Sequence, residues 1–268
     1  MFPQDDYTRA MDSTLTSNRW PERARTGLRT WARDWALAGA GGLALSALLG
    51  WQIGAVAPLL IAHAGIWVLL GLMLVMNTPS GGLADRHRGP GPANRVTLAR
   101  AAIAAPLGAL VLAAAADPDT IVLLWVLGLA AAALILDGVD GAVARRTNSR
   151  TAFGARFDME LDAAIILALS ILVWWMTAVG AWVVLIGAMR YLFLAAQRIW
   201  PWLAEPLPPS RRRQAICVLQ SGVLLVALLP GLHPVAAIGV ALAGLVALTG
   251  SFATDIRWLH RQCPGGST

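Results

Sequence analysis

Long apolar runs alternate along the chain with short polar connections. Each run is close to the 20 or so residues that an α-helix needs to cross a hydrocarbon core, so the pattern predicts membrane-spanning helices. From Trp35 to Met76 there is no Asp, Glu, Lys or Arg, and the only break is Gly50-Trp51-Gln52, which predicts a hairpin of two helices near 35–50 and 54–76. A polar stretch rich in Gly and Pro covers 77–94. Further apolar runs follow at about 97–115, 120–145, 154–176, 180–199, 214–230 and 235–254. The expected fold class is all-α, a polytopic membrane helical bundle of about eight spans, with an N-terminal hairpin (35–76) ahead of six further helices (92–256) and a short tail (257–268).

Residues 1–34 are polar and carry Arg9, Arg19, Arg23, Arg25, Arg29 and Arg33. The segment is too long and too acidic for the charged region of a signal peptide. Leu28, Trp31 and Trp35 recur at helical spacing opposite Arg25, Arg29 and Arg33. This predicts either an amphipathic helix lying on anionic lipid or a tail leading into the first span.

Composition narrows the class. Of 268 residues, 57% are hydrophobic and 13% charged, with a mean hydropathy of +0.62, which leaves too little charge for the surface of a soluble domain. The net charge of +6 comes from 21 basic residues, all of them arginine. They cluster between apolar runs, which fits a membrane surface and its lipids and argues against nucleic acid. The turns near 50–53, 116–119, 177–180 and 230–234 lack Arg. By the positive-inside rule both termini then face the cytoplasm, as in a multi-pass protein of a bacterial inner membrane. Cys217 and Cys263 imply no disulfide framework.

The chemistry concentrates where two apolar runs meet. Asp137 and Asp140 share a helix face, continued by Gly141 and Ala144, while Gly154, Asp158 and Asp162 form a second stripe at four-residue intervals. Two antiparallel helices facing one another would gather four carboxylates beside small residues. Like charges so close repel unless a cation lies between them, and hard oxygen ligands suit Mg²⁺, Mn²⁺ or Ca²⁺.

The run D-x2-D-G-x2-A-R-x8-G-x3-D-x3-D, matched here by Asp137, Asp140, Gly141, Ala144, Arg145, Gly154, Asp158 and Asp162, resembles the signature of the CDP-alcohol phosphotransferases. The resemblance implies a six-helix core and transfer of a phosphatidyl or phosphoalkyl group from a CDP-linked donor to an alcohol, with release of CMP. It implies two ions, Mg²⁺ or Mn²⁺, held by Asp137, Asp140 and Asp158, with Asp162 as general base and further metal contact. Gly141, Ala144 and Gly154 would admit the nucleotide, and Arg145 would pair with phosphate or orient the aspartates. Ordinary helix packing is the other reading of Gly141 and Ala144, and a positive-inside anchor that of Arg145. Asn94, Thr97 and Arg100 read as a helix start, Asn94 capping it and arginines at the interface. They also resemble the family's Asn-x-x-Thr-x-x-Arg, which implies that Asn94 and Thr97 contribute to the nucleotide pocket. A homodimer is implied as well.

The acceptor side stays open. Arg190 lies inside an apolar run, and an intramembrane Arg normally has a partner. It would bind an acidic acceptor or pair with Asp158, Glu160 or Asp162. Arg211, Arg212 and Arg213 would extend a basic acceptor site or bind lipid headgroups. The leading function is transfer of a phosphatidyl group from CDP-diacylglycerol to a small polar alcohol in phospholipid biosynthesis. A CDP-alcohol acting on a lipid acceptor is the alternative within the class, and a divalent-cation transporter the alternative outside it.

Overall fold

The computed structural model describes residues 20–76, 92–113, 119–147, 152–208 and 210–262, with side chains for 29–72, 94–113, 119–139, 154, 156–208 and 210–262. Eight α-helices account for nearly all of it: α1 (Trp20–Ile53), α2 (Val56–Met76), α3 (Pro92–Ala113), α4 (Thr120–Thr147), α5 (Ala152–Met176), α6 (Val184–Ile199), α7 (Arg211–Ala227) and α8 (Pro234–Gln262). Among the described residues there is no strand, and six helices are long and apolar enough to cross a membrane. Val56–Leu72 adds a shorter apolar stretch. The polytopic helical bundle expected from the alternation of runs is therefore what the chain forms.

Helix α3 is the hub, packing against α1, α2, α4 and α5. Its sequence suits that position: Ala101, Ala102, Ala104, Ala105 and Ala109 are buried around its circumference, and such small residues let neighbouring backbones approach closely. Helices α6 and α7 pack on the other flank of α5, and α8 covers α7. Although α4 and α5 carry the acidic stripes, they touch each other little. Helix α3 packs against both of them.

Three local expectations are refined. The polar residues from Trp20 onward and the first apolar run form one continuous helix through Ile53, with no loop between an interfacial segment and the span. The hairpin break lies beyond Gly50-Trp51-Gln52, at Gly54, whose φ of 70° provides the left-handed turn. Gly50 serves the turn differently, since a Cβ there would come within 2.7 Å of Val56 Cα. Finally, α3 starts at Pro92, so Asn94 sits in the first turn and is not the cap. Proline favours the first helical position because its missing N–H would be unsatisfied there anyway.

The N-terminal hairpin is keyed to α3. A Cβ on Gly42 of α1 would lie 2.6 Å from His63 Cε1 and 2.8 Å from the carbonyl oxygen of Ala102. His63 is fully buried, and its Nδ1 pairs with the equally buried Ser46 Oγ at 2.9 Å, which makes it a packed residue joining α1 to α2. Trp35 and Trp67 pack with their rings tilted by 34° and their centroids 4.5 Å apart. Arg95 of α3 reaches Asp34 of α1 at 2.8 Å, and Trp125 Nε1 of α4 donates to Gln52 Oε1 at 2.7 Å. Gly42→Ala is expected to lower stability by about 1–3 kcal/mol through overpacking. Gly41→Ala, whose added methyl meets nothing within 4 Å, is expected to leave it unchanged or slightly raised. Thermal unfolding of the two variants in one detergent checks this.

Candidate active site

Three candidate spans bring charged residues to one pole of the bundle. Asp137 lies near the end of the span Thr120–Val139, Asp158 and Asp162 near the start of Arg156–Met176, and Arg100 within the first two turns of Asn94–Ala113. Asp158 and Asp162 are one turn apart on α5, and Asp137 faces them from α4. A carboxylate oxygen from each of Asp137, Asp158 and Asp162 can be chosen so that all lie within 4.8 Å of one another. The carboxylates are partly open, with side-chain exposures of 30, 36 and 26%.

Beneath them lies Arg100, whose side chain is 0% exposed. Its Nη1 is bonded to Asp137 Oδ1. Its Nη2 lies 2.7 Å from Asp158 Oδ1 and 2.6 Å from Asp162 Oδ1, and also donates to the Asp158 carbonyl at 3.4 Å. A buried guanidinium is tolerable only with such compensation, since removing one partner of a buried pair typically costs about 3–5 kcal/mol. Thr97, one turn before Arg100 and in phase with it, is also buried. Arg100 therefore lies near the end of its span, as a helix start with arginines at the interface implies, but turned into the bundle and away from solvent. The sequence held a signal for this, an Arg within an apolar run in register with Thr97, and a charge so placed calls for acidic partners.

Helix α7 closes the site from the side. Cys217 Sγ is 3.9 Å from Asp162 Oδ2, and a cavity of about 20 Å³ lies between α4, α5 and α7, lined by Asp137 and Asp162 at its polar end and by Leu134, Leu169, Cys217 and Ser221 elsewhere. That volume suits about one water molecule. The two oxygens of Asp162 are therefore distinguished: Oδ1 is bound to Arg100 and Oδ2 faces the thiol of Cys217.

The other basic candidates have protein partners. Arg190 pairs with Glu160. Glu160 is two residues from both Asp158 and Asp162, about 200° around the helix, so this pair occupies the flank of α5 turned away from the cluster. Close backbone packing sets it up, since a Cβ on Gly187, one turn before Arg190, would fall 2.3 Å from Leu167 Cα. Arg212 pairs with Asp255 of α8, Arg213 lies 3.4 Å from the same carboxylate and donates to the Pro208 carbonyl, and Arg211 is exposed. Positive charge at a helix N-terminus opposes the helix dipole, and Asp255 offsets it; this partner was not anticipated. Gln220 is buried and donates to the Gly244 carbonyl at 3.0 Å, a contact between α7 and α8. Gly154 is half-buried in the first turn of α5, and Asn94 is half-buried in that of α3. The side chains of Asp140, Gly141, Ala144 and Arg145, though on α4, lie outside the described residues, as does Cys263.

A family model for CDP-alcohol phosphatidyltransferases matches residues 92–250. The chain belongs to this family. No match was found among curated proteins or among solved structures. The matched segment runs from α3 into α8, so it contains the whole carboxylate–guanidinium cluster and leaves out the N-terminal hairpin. As a CDP-alcohol phosphatidyltransferase family member, the chain is a transferase with the helices of a multi-pass membrane protein. The cluster fits the divalent ion that such chemistry calls for: its donors are hard carboxylate oxygens, close enough to share one cation, and they already gather around a positive group.

If Arg190 and Glu160 form a structural pair, Arg190→Gln and Glu160→Gln should each lower stability by about 1–2 kcal/mol, discounted for partial exposure. The double variant should lose less than the sum. Melting temperatures of the three variants measure this, and the KM for an acidic acceptor should stay unchanged in Glu160→Gln.

Proposed function

We propose that the protein is an integral membrane transferase that moves a phosphatidyl group from CDP-diacylglycerol to a small polar alcohol, releasing CMP, at the carboxylate cluster of α4 and α5. One observation carries the reading: Asp137, Asp158 and Asp162, fixed positions of the motif, converge from two helices at one pole of the matched segment. Asp137, Asp140 and Asp158 would hold divalent ions, Mg²⁺ or Mn²⁺, with Asp162 contributing. When bound, such ions neutralise charge on the diphosphate and on the departing CMP.

The chain's own residues would divide the remaining work. In the transfer, the acceptor oxygen forms a bond to the phosphatidyl phosphorus as the bond from phosphorus to the CMP oxygen breaks, and the hydroxyl proton passes to a base. Asp162 is the residue proposed as that base. Its Oδ2 is directed toward Cys217 and the small cavity, and its Oδ1 is held by Arg100, which fixes the orientation of the carboxylate. Asn94, Thr97, Gly141, Ala144, Arg145 and Gly154 are proposed to border the nucleotide from their motif positions. On the acceptor side, Arg211 is the exposed arginine; Arg190, Arg212 and Arg213 would reach an acidic acceptor only by sharing themselves with Glu160 and Asp255. The proposed setting is the inner leaflet of a bacterial inner membrane, where a nucleotide-linked substrate arrives from the cytoplasm, with the enzyme as a homodimer.

The placement at one end of the spans also weighs against ion transport, since transport sites form near the midplane. Purified full-length protein, given CDP-diacylglycerol, Mg²⁺ or Mn²⁺ and a panel of polar alcohols, should release CMP with at least one acceptor and stop on chelation. Asp162→Asn should reduce release by roughly 10²–10⁴-fold. Undiminished release in Asp162→Asn, or divalent-ion flux without any CMP from CDP-diacylglycerol or a CDP-alcohol, would refute the proposal.

A further inference from the structure

The carboxylates of the candidate site already surround a cation, the guanidinium of Arg100. Nη1 engages Asp137, and Nη2 engages Asp158 and Asp162, in every case through Oδ1. A divalent ion held by the same three residues would draw on oxygens within 4.8 Å of one another. Mg²⁺ needs its ligands at about 2.0–2.1 Å, whereas a guanidinium bonds carboxylates at about 2.7–2.9 Å. A divalent ion and the guanidinium cannot both hold these Oδ1 atoms at contact distance, and even on the second oxygen of each carboxylate an ion would lie close enough to the guanidinium for the two positive groups to repel.

We infer that Arg100 is an internal competitor for the divalent ion. Its guanidinium keeps the three carboxylates in register, and an ion that binds must take at least part of them from it. This rests on the cluster being the divalent-ion site of the proposed function, and it adds a role for a residue outside the acidic motif. Asp137 is on α4 and Asp158 and Asp162 are on α5, two helices that barely touch, and the guanidinium links their carboxylates. Retreat of α3 as a whole is obstructed, because Ala102, on the opposite face from Arg100, is backed by Gly42 of the hairpin with no room for a methyl between them. Displacement would therefore proceed by the side chain swinging aside, leaving the helix in place.

Competition and plain support predict opposite signs. If Arg100 only positioned the carboxylates, its removal would loosen ion binding. If it competes for them, its removal tightens binding. The test is a Mn²⁺ titration of the full-length protein in detergent, without nucleotide, following the free-ion paramagnetic resonance signal. Arg100→Gln should bind Mn²⁺ about tenfold more tightly than the natural protein, the effect of deleting one like charge at contact range. Equal or weaker binding in Arg100→Gln would overturn the inference. Where Arg100→Gln does not yield a monodisperse protein, Arg100→Met decides: it keeps a long apolar stem and removes the charge, so binding about tenfold tighter than the natural protein supports competition and equal or weaker binding refutes it. Asp137→Asn separates this from the reading beneath it. Loss of tight Mn²⁺ binding there supports the cluster as the ion site, whereas unaltered affinity puts the ion elsewhere and brings down the site assignment itself.

Discussion

A guanidinium without solvent contact, answered by carboxylates from two other helices, is the constraint around which this bundle is arranged. An arginine inside a hydrocarbon-spanning segment is tolerated only where partners meet it. Here the partners come from α4 and α5 and the arginine from α3, so three helices can satisfy it in one relative placement. The same contacts hold the fold and set the spacing of the carboxylates proposed to carry the transfer reaction. Stability and chemistry are thereby coupled through one side chain, and a change made for either reaches the other.

Away from the cluster the bundle uses the same device again: Arg95 with Asp34 joins α3 to α1, Arg190 with Glu160 joins α6 to α5, and Arg212 and Arg213 with Asp255 join α7 to α8. Close backbone contact at Gly187 accompanies the second of these, and the Gln220–Gly244 hydrogen bond the third. In an environment as apolar as the side chains it surrounds, burial alone does little to choose between helix pairings. Small residues and polar contacts make the choice instead.

Much of this was legible before the structure. Run lengths gave the helices, because a spanning helix has a required length, and the four-residue interval between Asp158 and Asp162 gave a shared face, because helical phase is rigid. Which helix packs against which is set by contacts among distant residues. For that reason neither the packing of α3 on both acidic helices nor the burial of Arg100 among their carboxylates follows from the local pattern. The sequence leaves Arg190 between an acidic acceptor and an acidic partner, and three acids within five residues are not told apart until Gly187 and Leu167 fix how α6 lies on α5. Asp255 escaped because the arginines it meets are more than 40 residues away in the chain.

The seating of Gly42 against Ala102 has a consequence for how the chain should be divided. The segment that carries the inherited pattern begins at residue 92, yet the first helix of that segment rests on α1 and α2, which precede it. A fragment cut at that boundary would retain every acidic residue of the motif while stripping one side of the helix that bears their counterion. The stretch matched to the family and the packed bundle have different borders in this protein, and the hairpin belongs to the second even though it stands outside the first.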